Sequence, residues 1–406
     1  MVADRSLGRP FWTFWTAAAL ANLGDGIRVA AFPLLAAALS DDPVAVAAVA
    51  AAQFLPWLVT GLLAGALADR RGARTVIATA DAGRVLVLAT LAVAVATGWA
   101  TIALVVAASF LLGVGETLRD TAAQTAVPRL VRDEHLERAN GRLVAGEIVG
   151  NEFVGPPVGA LLFVVGAALP FAVNGAALAL AVMLVLSLPL SLARPPVRNA
   201  GTEAGGTGAG GGVLAGLRWL VRQRVLRTLV VVGAAIAAAD TAWFAIFVLY
   251  ARESLGLGAL GFGLLLATGA GGGLAGSLLA GRVLGRFRHR DVLAVTLALT
   301  GGVPVLLVVA PNRVAAVVVV VLTSASFAVL NVAALSLRHR LVPEGLLGRV
   351  VAASRTLTYS CTALGALAGG ALAAQAGLVA PFLLSGAVAV VATAGWWVAS
   401  RPSTAG

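Results

Sequence analysis

Apolar runs of about twenty residues succeed one another from near residue 12 to near residue 400, each parted from the next by a short polar or glycine-rich break. A bilayer-spanning helix needs about 20 mostly apolar residues. Only helices and closed barrels keep every backbone polar group bonded inside hydrocarbon. The runs fall near 12–38, 45–68, 75–97, 100–122, 141–165 and 168–190, then near 227–251, 258–281, 290–310, 313–337, 350–376 and 378–400. Composition agrees: 60% of the chain is hydrophobic and 12% charged, against roughly 45–50% and about 25% in a soluble domain. The pattern predicts an all-α membrane protein with twelve transmembrane helices.

The arginines test that count. Every one of the 29 basic residues is arginine. Taking alternate breaks, 23 of them collect on one side: in the N-terminus, 69–74, 129–142, 194–227, 282–290, 338–349 and the C-terminus. The other side holds Arg252 and Arg313, while Arg28, Arg84, Arg119 and Arg355 lie inside runs or near their ends. By the positive-inside rule both termini are expected in the cytoplasm. An odd number of spans would destroy the alternation. The net charge of +11 thus belongs to short loops, and no nucleic-acid partner is expected. The single cysteine, Cys361, excludes an intramolecular disulfide. The three histidines lie in breaks and suggest no metal site. Arg5 and Arg9 precede a run longer than the roughly 7–15-residue core of a signal peptide, so the first span is expected to stay as an anchor.

Residues 191–216 are a different material. Arg194-Pro195-Pro196 leads into a Gly/Ala/Thr tract ending at Gly212, the composition of a flexible linker. The expected organisation is a six-helix bundle over 1–190, a cytoplasmic linker over 191–226 and a second bundle over 227–406. Within 213–227, Leu214, Leu217, Leu220 and Val221 share a helical face, with Arg218, Arg222 and Arg224 mainly elsewhere. That is either an amphipathic helix on the membrane surface or an extension of span seven. The halves repeat at an offset of 211: Arg129-Leu130-Val131 returns as Arg340-Leu341-Val342, Pro170-Phe171 as Pro381-Phe382, Gly159 as Gly370, and Gly61 and Gly65 as Gly272 and Gly276.

Two short segments carry more specific signals. Gly65, Asp69, Arg70, Gly72 and Arg74 join two spans. Glycine allows close approach and a tight turn, and a carboxylate there can meet the start of another helix. Gly155-Pro156-Pro157-Val158-Gly159 puts two prolines and flanking glycines into span five, which kinks a helix and permits tight packing. Around them stand Gly24-Asp25, Arg119-Asp120-Thr121-Ala122-Ala123, Pro128-Arg129-Leu130-Val131, Leu136-Glu137-Arg138-Ala139-Asn140 and Gly216-Leu217-Arg218.

Taken together, over about residues 11–400, these segments resemble the major facilitator superfamily. The branch they resemble is the drug:proton antiporters with macrolide efflux proteins and the enterobactin exporter. Residues 65–74 resemble its motif A, which implies a latch between halves that helps set the conformational equilibrium. A solvated loop of orientation-setting arginines is the alternative. The second half, Gly276 to Arg286, has no acid there, so the latch is one-sided. Gly155, Pro156 and Gly159 resemble the antiporter motif C, which implies export. Asn151 and Ala160 stand where that motif has glycine, and a plain kinked helix is the alternative.

Ionisable groups inside a membrane are costly and point to function. At 1.5 Å per residue, Asp25, Glu152 and Asp240 fall near mid-depth, and Glu147, Asp81, Arg84, Glu116 and Arg119 in the inner half. Asp25/Arg28, Asp81/Arg84 and Glu116/Arg119 are spaced i, i+3, the spacing of a helical ion pair, and are expected to be structural or gating elements. Glu147, Glu152 and Asp240 have no arginine a turn away. They are the better candidates to take up a proton, Glu152 and Asp240 foremost, with Asp25 a fourth by depth. Asn151, Asn174, Trp243, Phe244 and Tyr359 either line a substrate cavity or simply pack.

A phosphate-binding Gly-x-x-x-x-Gly-Lys-Ser/Thr loop is impossible without lysine, so an ATP-driven pump within this chain is excluded. The expected activity is secondary transport, and no enzyme is expected. The leading reading is proton-coupled export of a hydrophobic or amphiphilic molecule, such as a drug, secondary metabolite or siderophore. It needs no cofactor beyond the proton as coupling ion, and its partners are the lipid bilayer and the substrate, with the chain a monomer. A nutrient importer of the same fold would show more polar mid-membrane residues. A non-transporting scaffold or sensor would leave the carboxylates silent.

Overall fold

The computed structural model describes residues 7–57, 67, 70–189, 218–343 and 346–401, and every regular element among them is helical. The first half contains α1 (Gly8–Leu39), α2 (Pro43–Phe54), α3 (Ala73–Ala96), α4 (Ile102–Ala126), α5 (Leu136–Glu147), α6 (Gly155–Val165) and α7 (Leu169–Leu186). The second contains α8 (Arg224–Phe244), α9 (Phe247–Glu253), α10 (Ala259–Arg286), α11 (His289–Gly302), α12 (Arg313–Leu341), α13 (Leu347–Ala376) and α14 (Ala380–Ala399). Eleven helices among the described residues are long and apolar enough to cross a membrane. The second run, expected over 45–68, is seen as the 12-residue α2 and then passes into 58–66, outside the described residues.

Local chemistry sets the helix ends. The turn after α3 closes on Gly98, whose φ of 75° favours glycine, and Trp99 N donates to the Ala94 carbonyl at 2.8 Å. Thr101 then caps α4, its hydroxyl accepting from Leu104 N at 3.3 Å. Asn312 caps α12 in the same way, accepting from Ala315 N at 2.9 Å. Residues 218–222 are helical, but Gln223 is extended and α8 begins only at Arg224. The segment is therefore no extension of span seven: Leu220 turns back to pack with Leu226, Val230, Val342 and Val350. Leu214 and Leu217 lie outside the described residues.

The chain divides into two compact units. The first holds α1, α3 to α7 and Ala259–Leu264; the second holds α2, α8, α9, the rest of α10 and α11 to α14. In the first unit Phe11, Phe14, Val76, Ile77, Ala126 and Val185 close one end of the bundle. Span five is not one α-helix. Between α5 and α6, Ile148–Val154 forms a π-helical segment, where each turn carries an extra residue. The segment lies against α1 with almost no side chain between: a Cβ at Gly26 would come within 2.8 Å of the Asn151 Cα, and one at Gly159 would strike the Ile27 carbonyl. Gly159→Val is expected to cost about 1–3 kcal/mol by overpacking, read as a lower melting temperature in detergent.

The repeat register is less uniform than one offset of 211. That offset holds where α4 and α12 start, at Ile102 and Arg313. Earlier, α3 and α11 start at Ala73 and His289, 216 residues apart. Their buried positions agree: Val76, Ile77, Ala78, Asp81 and Arg84 answer to Val292, Leu293, Ala294, Leu297 and Thr300. Along α1 and α8 the spacing is 215, with Phe11, Phe14, Ala17 and Ala21 answering to Leu226, Leu229, Val232 and Ile236. The offset falls by five because the span His289–Val309 has 21 residues against 24 in α3, and the loop that follows, 310–312, is two residues shorter than 97–101. In this register Arg70 and Arg74 correspond to Arg286 and Arg290, while Gly61 and Gly65 lie outside the described residues.

Candidate functional site

Seven charged side chains of α1, α3 and α4 meet inside the first unit. Arg28 and Arg84 both donate to Oδ1 of Asp25, Arg28 at 3.2 Å. Arg28 also pairs with Glu116, and Arg84 reaches Asp81 at 3.3 Å. Arg119 Nε donates to the other oxygen of Asp81 at 3.1 Å, while its Nη1 stands 3.6 Å from Asp120. Gly115 makes the room, since a Cβ there would lie 2.8 Å from the Arg84 Cδ. Asp25, Arg28, Asp81, Arg84 and Arg119 are all buried. Three guanidinium groups face four carboxylates, so the network carries a formal charge of −1 when all are ionised.

The expected local pairs Asp25/Arg28 and Asp81/Arg84 form, but Glu116 and Arg119 do not pair with each other. Each reaches across to a different helix: Glu116 to α1 and Arg119 to α3. A helical spacing rule sees only contacts within one helix. The links between helices, and Asp120, were beyond its reach.

The repeat register shows what the second unit does with the same positions. Asp81, Arg84, Glu116 and Arg119 become Leu297, Thr300, Phe327 and Leu330. Leu297 and Leu330 join Ile236, Val292 and Leu293 in an apolar core. Thr300 is fully buried, and its hydroxyl has no hydrogen-bond partner. Asp25 alone has an acid as its counterpart, Asp240. Its i+3 donor changes from Arg28 to Trp243, whose Nε1 donates to Asp240 Oδ1 at 3.2 Å. Trp243 sits edge-on to Phe247, with ring centroids 5.2 Å apart. Among the described residues Asp240 has no arginine partner. One half thus folds around hydrocarbon where the other holds ions, and the fold itself does not require the charges.

The remaining candidates separate. Glu147 and Glu152 are exposed, at the end of α5 and within the π-helical segment. Asn151 is half-buried there, its Oδ1 unpartnered. Asn174 and Trp243 are packed inside their own units. Both are buried, Asn174 pressed against Gly24 and Trp243 within aromatic rings. Phe244 is 38% exposed, and Tyr359 is half-buried and stacked on Phe54 at 6.2 Å. Pro156 is buried in the first turn of α6, beside Gly155, which lies on Gly26. Of the 65–74 segment, Gly65 and Asp69 lie outside the described residues. Arg70 is exposed, Gly72 has a φ of 78°, and Arg74 donates to the Leu186 carbonyl at the end of α7. That contact satisfies one of the orphan carbonyls of a helix C-terminus.

The profile of the Major Facilitator Superfamily matches residues 14–360 and 229–406. The chain belongs to the major facilitator superfamily. It is a multi-pass membrane transporter of that family. Among its relatives, the multidrug efflux pump Tap of Mycobacterium tuberculosis is 28% identical over 389 residues, covering 92% of this chain and 89% of that one. The pump of the same name from Mycolicibacterium fortuitum is 29% identical over 393 residues, covering 92% and 93%. The major facilitator fold is also seen in solved structures. The nucleoside transporter NupG superposes with a TM-score of 0.80 at 12% identity, over 97% of this chain and 100% of that chain. A bacterial homologue of the iron transporter ferroportin, in an inward-facing state, gives 0.77 at 16% identity, over 97% and 99%.

Proposed function

We propose that this transporter exports hydrophobic or amphiphilic small molecules and that protons drive it. The single observation that carries the coupling is Asp240. It is the one acid of the charge network that the repeat retains in the second unit, and there it has a neutral indole as its donor. A carboxyl group without a cation partner has no ion pair to break when it takes up a proton. Asp25, by contrast, accepts from both Arg28 and Arg84. The charge network is then a structural clamp of the first unit, and Glu152 and Glu147 are secondary proton candidates. The export direction draws on the relatives, multidrug efflux pumps at 28–29% identity.

The same reading has twelve spans, both termini in the cytoplasm of a cell-membrane monomer, and alternating access gated through residues 65–74. The test is a susceptibility panel in a hypersensitive host with and without the protein, repeated with an uncoupler. Raised tolerance to several amphiphilic compounds, abolished by the uncoupler, is the expected outcome. Tolerance that survives the uncoupler removes proton coupling, and heightened sensitivity points to import.

A further inference from the structure

In the second unit the outer faces of α8 and α14 leave an open groove of about 680 Å³. Val232 and Ala392 form its buried floor, and Val231 and Val391, 54% and 73% exposed, form its walls. Arg227 and Gly395 line one end, Ala235 and Ala387 the other. Eight residues of helix separate Arg227 from Ala235, about 12 Å. The slot is apolar along this length except at the arginine end.

That end is strongly basic. Arg218, Arg222, Arg224 and Arg227 are all exposed, and among the described residues none of them pairs with a carboxylate. Arg227 is fixed at the mouth, its Nη1 donating to the Val221 carbonyl at 3.0 Å. The turn at Gln223 brings the short helix 218–222 back onto α8, with Leu220 as its buried anchor. A hydrocarbon slot ending in a cluster of exposed guanidiniums matches one kind of molecule present in every membrane: a chain-bearing anion.

We propose that this groove binds an anionic phospholipid, with an acyl chain along Val231 and Val391 and the phosphate at Arg224 and Arg227. Basic residues beside apolar clefts at the membrane surface hold anionic headgroups in this way. The zwitterionic lipids of the same leaflet offer the chain without the net charge, and a neutral amphiphile would not use the arginines.

Native mass spectrometry of the full-length protein, with phosphatidylglycerol or phosphatidylcholine of identical chains added, reads this directly. Phosphatidylglycerol should remain bound where phosphatidylcholine is stripped. Arg224→Gln with Arg227→Gln should weaken phosphatidylglycerol binding about thirtyfold. Gly395→Leu with Ala387→Leu fills the slot from exposed positions and should weaken it comparably, without touching a charge. Arg282→Gln with Arg286→Gln removes two exposed arginines of α10 and should leave binding unchanged. Equal retention of phosphatidylcholine, undiminished binding in the filled groove, or an equal loss in the α10 variant would each overturn the proposal. Displacement of the lipid by a transported compound would overturn it too, by making the groove a substrate site.

Discussion

Asp240→Asn is expected to reduce uphill export to the level of uncoupler-treated cells, while the protein reaches the membrane in normal amount. The argument is geometric. Asparagine keeps the volume of the side chain and can still accept from Trp243 Nε1, which stands 3.2 Å from Oδ1 in the native protein. Packing against Phe247 and Phe382 is therefore undisturbed. What disappears is the exchangeable proton. In vesicles the variant should still move substrate down its own gradient, and should no longer accumulate it when a proton gradient is imposed. Asp240→Glu should recover part of the coupling. Full proton-driven accumulation by Asp240→Asn would move the coupling site elsewhere, to Glu152 or to the first unit.

Arg84→Thr should be among the most damaging single substitutions for stability. It leaves Asp25 with one of its two guanidinium partners and Asp81 with Arg119 alone. Removing one member of a buried ion pair costs about 3–5 kcal/mol, because the other charge stays behind without compensation. The repeat supplies the remedy. Leu297 and Thr300 stand where Asp81 and Arg84 stand in the first unit. Asp81→Leu combined with Arg84→Thr removes one charge of each sign and installs the second unit's own solution. The double variant should melt close to the native protein and well above Arg84→Thr alone. Two variants that melt equally low would show that the first unit cannot adopt an apolar core at these positions.

Much of this was legible in the sequence because membrane helices are written in long, simple runs. The all-helical class and the approximate limits of the spans follow from run length alone. The charge network was legible only in fragments. Spacing along one helix exposes Asp25/Arg28 and Asp81/Arg84, but Arg84 to Asp25 and Arg119 to Asp81 depend on how three helices are rotated against one another. The same limit hid the burial of Asn174, which is set by the close approach of Gly24 on another helix. The offset of 211 is legible where Arg-Leu-Val and Pro-Phe recur, and the offsets of 215 and 216 are not, because α1 and α3 share burial patterns with their partners and few identical residues. The offset of 215 is what places Asp25 and Asp240 at one position.

The π-helical segment Ile148–Val154 has a consequence for motion. A helix with a widened turn is out of phase with itself: the stretches on either side differ by one residue, about 100° of rotation. Such a dislocation can travel. Each step along the chain exchanges one carbonyl partner for the next and breaks no regular element, yet it swings the residues it passes through by slightly more than a quarter-turn. Glu152 and Asn151 ride on this dislocation, and α1 meets its backbone at Gly26. A widened turn at this place therefore sets the direction in which an acid and an amide of span five point, independently of its two ends.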